Sequence, residues 1–165
     1  MFEKGDILRF FYGRILGRPM NFSFIDEFVS GSAGPLRKKE VDWMREKKGI
    51  GAILSVKEVP LASGWVENLR YLNVPVKNHF PPTIDQLKQC VDFILRETSS
   101  GEKTSVHCAA GKGRTGTVLA AYLCAKYGKS ADDAILEIRA KRKGSIEKKQ
   151  EAVIQEYCKG SRDSK

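Results

Sequence analysis

One short string holds a cysteine, an arginine and a threonine at a spacing suited to phosphate chemistry. An apolar, β-rich run from Thr104 to His107 ends at Cys108. The loop Ala109-Ala110-Gly111-Lys112-Gly113 follows, and Arg114, Thr115 and Gly116 lead into an apolar run of helical spacing, Val118 to Tyr127. Strand, tight loop and helix N-terminus form an anion cradle, because loop N–H groups and the positive end of the helix dipole face the same point. A cysteine at a helix N-terminus beside a guanidinium sits where the thiolate, the nucleophilic form, is favoured. The planar Arg114 fork can hold two phosphoryl oxygens and follow charge as it spreads over them during transfer. The Thr115 hydroxyl stands where it can donate to the departing sulfur. Together these residues describe phosphate-monoester hydrolysis through a cysteinyl-phosphate. A nucleotide loop fits less well: Gly-x-x-x-x-Gly-Lys-Ser/Thr is absent, and Gly-x-Gly-x-x-Gly does not match the run.

The string His107-Cys108-Ala109-Ala110-Gly111-Lys112-Gly113-Arg114-Thr115-Gly116-Thr117 resembles the HCxxGxxRT/S signature of the cysteine-dependent protein tyrosine phosphatase superfamily. Its ending is similar to that of the small atypical, VHZ-like dual-specificity phosphatases. Asn21 to Ile25, Pro81-Pro82 before a helix, and Ile138-Arg139 through Gly144-Ser145-Ile146-Glu147 extend the resemblance over roughly residues 21 to 158. The loop is also similar to that of the phosphatase-and-tensin-homologue lipid phosphatases. Those carry a further lysine directly after the cysteine, where this chain has Ala109. The resemblance implies that Cys108 attacks phosphorus. Amides of Ala109, Ala110, Gly111, Lys112, Gly113 and Arg114 would bind the phosphoryl oxygens, and no metal or organic cofactor is implied.

Cleavage also needs a proton for the leaving oxygen. The resembled family takes it from an aspartate before the Pro-Pro turn, and that position here is Asn78. An amide cannot act as a general acid, a function worth roughly 10²–10⁴ in rate. His79 is adjacent and Asp85 is close, although an acid in the first turn of a helix also simply suits the dipole. The alternatives are an enzyme limited to good leaving groups, or a phospho-binding module or substrate trap with low turnover. Gln150 lies four residues after Ile146, where relatives place a water-orienting glutamine five after. His107 is expected to hold cradle backbone, and Lys112 either to attract substrate or to be solvated.

The chain has 165 residues, 41% of them hydrophobic, enough for one domain with a real core. Its formal charge of +9 favours anionic partners: phosphoproteins, RNA or acidic lipid. Residues 139–165 hold nine Lys/Arg against four Asp/Glu. The spacing of Cys90, Cys108, Cys124 and Cys158 matches neither a zinc site nor a disulfide framework. Cys90 and Cys124 read as buried packing residues. A reactive thiolate fits a reducing, cytoplasmic setting. No apolar run reaches membrane-spanning length. A secretory leader is not expected, since Glu3 and Asp6 precede a short apolar run broken by Arg9 and Arg14.

Residues 1–20 read as a basic, aromatic extension holding a short helix capped by Asp6, either packed on the domain or serving as an interfacial anchor or partner helix. Residues 21–160 read as the phosphatase domain and 161–165 as a polar tail. A hairpin around Asp26, a turn at Gly31–Gly34, a helix from Pro35 to about Lys47, strands at 52–56 and 71–74, and a loop at 57–68 are expected. Thr83 caps the next helix with Gln86. The final helices start at Ser130 and about Ile146. Alternating strands and helices predict an α/β fold with a central, mostly parallel sheet flanked by helices, and the cradle at a strand's C-terminal end. The expected activity is phosphomonoester hydrolysis on phosphoproteins, phosphotyrosine first and phosphoserine or phosphothreonine next. RNA 5′-phosphate or phosphoinositide is the alternative substrate.

Overall fold

The computed structural model describes residues 4–163, so residues 1–3 of the extension, with Glu3, and 164–165 of the tail lie outside it. Helix α1 (Lys4–Leu16) precedes β1 (Ser23–Phe24) and β2 (Val29–Ala33). Then come α2 (Lys38–Lys48), β3 (Ile50–Ser55), α3 (Ser63–Val66), β4 (Arg70–Asn73), α4 (Ile84–Ser99) and β5 (Lys103–Cys108). Helices α5 (Gly113–Tyr127) and α6 (Ala131–Lys141), a 3₁₀ turn (Lys148–Gln150) and α7 (Glu151–Asp163) complete the order.

The sheet runs β1-β2-β5-β3-β4, with β1 and β2 antiparallel and the other pairs parallel. Strand β5 is therefore central, and its C-terminal residue is Cys108. One face packs Ala52, Leu54 and Val106 against α4 and α5, and α6 and α7 pack in turn on α5. The other packs Ile50 and Ile53 on Val41 and Met44 of α2. Residues 50 and 53 share that face because a register shift between Ile50 and Ala52 breaks the two-residue alternation. The expected fold class is thus the one observed.

Local chemistry explains the elements. Thr83 and Gln86 form the reciprocal capping box on α4, and Ser130 caps α6. Asp26 turns the first hairpin by accepting from the Phe28 and Val29 amides, and it ties the hairpin to α5 by accepting from the Tyr122 and Tyr127 hydroxyls at 2.7 and 2.8 Å.

Several expectations are corrected. The Gly31–Gly34 stretch is not a turn: Gly31, Ser32 and Ala33 finish β2 beside β5. Small residues stand there because α5 and Arg142 crowd them; a Cβ on Gly31 would press on Leu119 and the Arg142 guanidinium. Helix α2 starts at Lys38, three residues after Pro35, and α3 interrupts the expected 57–68 loop. Helix α1 begins at Lys4, so Asp6 lies inside it rather than capping it. Ile146 has a φ of 63°, which delays the last helix to the turn at Lys148. Residues 161–163, expected in the tail, continue α7. Cys124 is not a free packing residue: it forms a disulfide with Cys158, 34 residues on, joining α5 to α7. Two helix-borne cysteines carry no spacing signature for such a bond, because the helices meet only in the tertiary fold. A loop of that size corresponds to about 4 kcal/mol in the chain-entropy picture. Among the described residues, no helix is long and apolar enough to cross a membrane.

Candidate active site

The loop between β5 and α5 is held open by its carbonyls. The Cys108 carbonyl accepts from His107 Nδ1 at 3.2 Å, and the Ala109 carbonyl from the Gly34 amide at 3.0 Å. Ala110 O accepts from Asn21 Nδ2 at 2.8 Å, Gly111 O from Arg142 Nη2 at 2.6 Å, and Lys112 O from the Gly116 amide at 2.7 Å. Five consecutive carbonyls thus point away from the loop's centre. In a planar trans peptide the next N–H points opposite to each C=O, so the amides of Ala109 to Gly113 face inward. Gly111 has a φ of 70°, and a Cβ there would collide with the Ser32 and Ala33 backbone. Lys112 is exposed at the loop's outer edge.

Arg142 is the buried support beneath this loop, and the sequence reading missed it. Its guanidinium also donates to Asn21 O (2.8 Å), Ser23 Oγ (2.5 Å) and Gly31 O (2.9 Å). Burial pushes its pKa below the ordinary arginine value, and the charge of Cys108 acts the other way. A lone arginine just past a helix end gives no signal of this role; only the fold brings it under Gly111.

Arg114, in the first turn of α5, is 4% exposed. Its Nη1 donates to Glu58 Oε2 at 2.9 Å and to Val76 O at 2.6 Å, and its Nη2 donates to Asn78 Oδ1 at 2.9 Å. Glu58 also accepts from the Asn78 amide at 2.7 Å. Burial alone would raise the Glu58 carboxyl, but these donors outweigh it and hold the pKa below the usual value. Glu58 therefore joins Arg114 to the Asn78 loop, a role that the loop-like sequence of residues 57–68 does not display. Its position just past the C-terminal end of β3, next to β5, is where open α/β sheets place functional side chains.

The cleft over the cradle is about 370 Å³ and is lined by Cys108, the loop, Arg114, Asn78, His79 and Glu147, with Leu8 and Arg9 of α1 on one rim. His79 Nδ1 lies 3.1 Å from Glu147 Oε1. Gln150 is fully buried, accepts from the Glu147 amide and donates to Phe80 O at 3.4 Å. Its side-chain amide lies about 3 Å from where a Gly113 Cβ would stand, so the shorter spacing still brings it to the start of α5. Asp85 is exposed on α4 and does not line the cleft. Thr115 is buried with its methyl towards Gly31, and its hydroxyl makes no hydrogen bond to Cys108 in this arrangement. The sequence places that hydroxyl by the sulfur; the strand behind it turns the side chain to pack instead.

His107 is fully buried, and desolvation pushes its pKa down from 6.5 to about 4, with the Cys108 carbonyl acting the other way and Lys57, Arg9 and Arg114 adding to the fall. It is neutral at pH 7 and holds backbone, as the sequence suggests. The unfolded chain binds a proton at His107 that the native protein refuses between about pH 6.5 and pH 4. Stability should therefore fall on acidification through that window, by about 2 kcal/mol between pH 7 and pH 5. Urea titrations at the two pH values check this: His107→Asn should flatten the dependence, and an unchanged slope in that variant rules the histidine out as its source.

Comparisons with known proteins agree with this geometry. Residues 20–154 match the family described as Swiss Army Knife protein, DSP-PTPase phosphatase domain. The Arabidopsis thaliana phosphatidylglycerophosphate phosphatase PTPMT2 is 30% identical over 82% of this chain and 61% of its own length. The human phosphatidylglycerophosphatase and protein-tyrosine phosphatase 1 is 31% identical over 78% of this chain and 69% of its own. The chain spans 15% of the human dual specificity protein phosphatase 16, with 30% identity over 100 residues. Among solved structures, the active form of Tk-PTP has a TM-score of 0.77 and 27% identity, covering 85% of this chain and 97% of that one. PTPMT1 in complex with PI(5)P has a TM-score of 0.80 at 24% identity, covering 87% and 98%, a likeness of fold. The matched span includes the central strand and the cradle, and the chain belongs to the DSP-PTPase phosphatase family, within the cysteine-dependent protein tyrosine phosphatase superfamily.

Proposed function

We propose that this chain hydrolyses phosphate monoesters carried on anionic lipid headgroups, through a cysteinyl-phosphate on Cys108. The inward ring of amides from Ala109 to Gly113 carries the reading: it binds a tetrahedral oxyanion and places phosphorus in line with the sulfur at the end of β5. Arg114 leaves Asn78 Oδ1 and takes two phosphoryl oxygens, with Glu58 keeping the fork oriented. Cys108 attacks phosphorus, the ester P–O bond breaks, and the leaving oxygen takes its proton from His79, whose Nδ1 is held by Glu147. Water, positioned by Gln150, then attacks phosphorus and gives its proton back to His79 as the S–P bond breaks, so the thiolate is regenerated and inorganic phosphate is released. His107 holds the cradle backbone in its neutral form.

Lipid as the carrier is supported by the two relatives that align over about four fifths of the chain, both named as phosphatidylglycerophosphate-type phosphatases. The +9 charge and the exposed Lys112 fit the same ligand. Phosphotyrosine, the first choice from sequence, is the second reading, favoured by the dual-specificity match. Turnover of a glycerophospholipid phosphomonoester in mixed micelles, beside a phosphotyrosine peptide, separates them: the lipid should show the higher kcat/KM, and the reverse order would return the peptide to first place.

Glu58 is a positioning residue, tested by Glu58→Gln. Loss of a charge-assisted hydrogen bond of about 1.5–3 kcal/mol should lower kcat/KM roughly 10–100-fold. Inorganic phosphate should inhibit less well in step, because Arg114 is no longer aimed. Unchanged phosphate inhibition with a lower melting temperature would mean that Glu58 is merely structural.

A further inference from the structure

Helix α1 is turned inside out relative to an ordinary surface helix. Its small face, Gly13, rests on the Glu40 carboxyl of α2, and Arg9 faces the catalytic cleft. Its apolar stripe, Ile7, Leu8, Phe11 and Ile15, points to solvent; Leu8 is 61% and Ile15 77% exposed. At 100° per residue these four positions fall on one side of the helix, opposite Gly13. A folded domain gains nothing from that orientation unless something apolar covers the stripe. Phe10 is not part of it, since the Arg37 guanidinium stacks on its ring at 4.3 Å.

The loop that follows the cleft-lining His79 repeats the pattern. Phe80 is 51% exposed, and the ammonium groups of Lys77 and Lys149 stand 4.6 and 5.7 Å from its ring centroid. An aromatic side chain ringed by lysines suits a surface where acyl chains lie under phosphates: the ring inserts, and the cations stay at headgroup level. Arg14 and Arg18 are exposed on and just beyond α1, and Lys112 is exposed on the cradle loop.

We infer that α1 and the Phe80 loop form one docking surface for an anionic phospholipid bilayer, with the catalytic cleft opening beside them. The occupant follows from charge and shape. Both parts are cationic, so a second copy of this chain would meet like charge. The stripe is a convex helix face rather than a groove, so it suits a soft apolar surface better than a partner helix. Leu8 belongs both to the stripe and to the cleft lining, so an inserted α1 brings the cleft mouth to headgroup depth. This surface rests on the lipid reading of the substrate and gives it a means of delivery.

The test is co-sedimentation of the full chain with phosphatidylcholine vesicles, with and without phosphatidylglycerol. The wild type should bind the anionic vesicles, and high salt should weaken the binding. Phe11→Glu with Ile15→Glu should weaken it at least about 10-fold, because two apolar side chains that would enter the bilayer are lost. Hydrolysis of soluble p-nitrophenyl phosphate should stay unchanged, which also reports folding. Arg14→Glu with Arg18→Glu serves as a second variant and should weaken binding to anionic vesicles alone. Failure to bind either vesicle overturns the surface, even if lipid in micelles is hydrolysed. Equal binding of the Phe11→Glu/Ile15→Glu protein overturns it too, as does a wild-type dimer in sedimentation velocity that this variant breaks. Binding without lipid turnover overturns only the substrate reading.

Discussion

Cys108→Ser is expected to lower phosphate release at least about 10⁴-fold on every substrate, since Cys108 is the one thiol among the residues that line the cleft. The loss should appear in kcat and not in binding. The cradle is built from amides whose partner carbonyls are tied to His107, Gly34, Asn21, Arg142 and Gly116, and none of those ties involves the sulfur. Inorganic phosphate should therefore bind the serine variant about as well as it binds the parent, measured by titration calorimetry. The experiment separates nucleophile from cradle: Arg142→Met should spoil both binding and turnover, because it releases the Gly111 carbonyl and strands four acceptors. Residual turnover within tenfold of the parent in Cys108→Ser would remove the cysteinyl-phosphate from the mechanism.

The cradle was legible because its signal is contiguous. Cys108, the loop and Arg114 lie within seven residues, so strand, turn and helix are fixed by local pattern, and the structure puts them where that pattern does. The capping box at Thr83 and the hairpin at Asp26 were readable for the same reason. What escaped is non-local. Glu58 meets Arg114 across 56 residues, and Arg142 meets Gly111 and Gly31 across 31 and 111. Neither has a spacing that a single sequence displays. Gly31 to Ala33 read as a turn because glycine and serine usually mark one; here they are small so that β2 can lie under α5 and Arg142. Cys124 read as core because it is core, and its bond to Cys158 becomes visible only when α7 lies across α5.

The proton donor is the part of the mechanism where sequence and structure pull apart most, and His79→Gln decides it. Asn78 points its Oδ1 at Arg114 and receives a hydrogen bond there, and its side-chain amide is far too weak an acid to protonate a leaving oxygen. His79 lines the same cleft, and Glu147 fixes its ring through Nδ1, which leaves Nε2 for the substrate. Removing a general acid should cost roughly 10²–10⁴ on an alkyl phosphomonoester, whose leaving oxygen must be protonated, and little on p-nitrophenyl phosphate, whose leaving group needs no proton. That leaving-group dependence marks an acid and not a fold defect, since His79 is exposed and its loss opens no cavity. Asn78→Asp in the His79→Gln background should recover part of the rate, because it puts a carboxyl on the cleft wall that is released from Arg114 when, as proposed, that fork turns to the phosphoryl group. If His79→Gln slows neither substrate while Asn78→Asp alone raises kcat a hundredfold, the chain lacks a donor. Its cleft then serves chiefly to hold phosphate, because the group missing at position 78 is the one that would let the product leave.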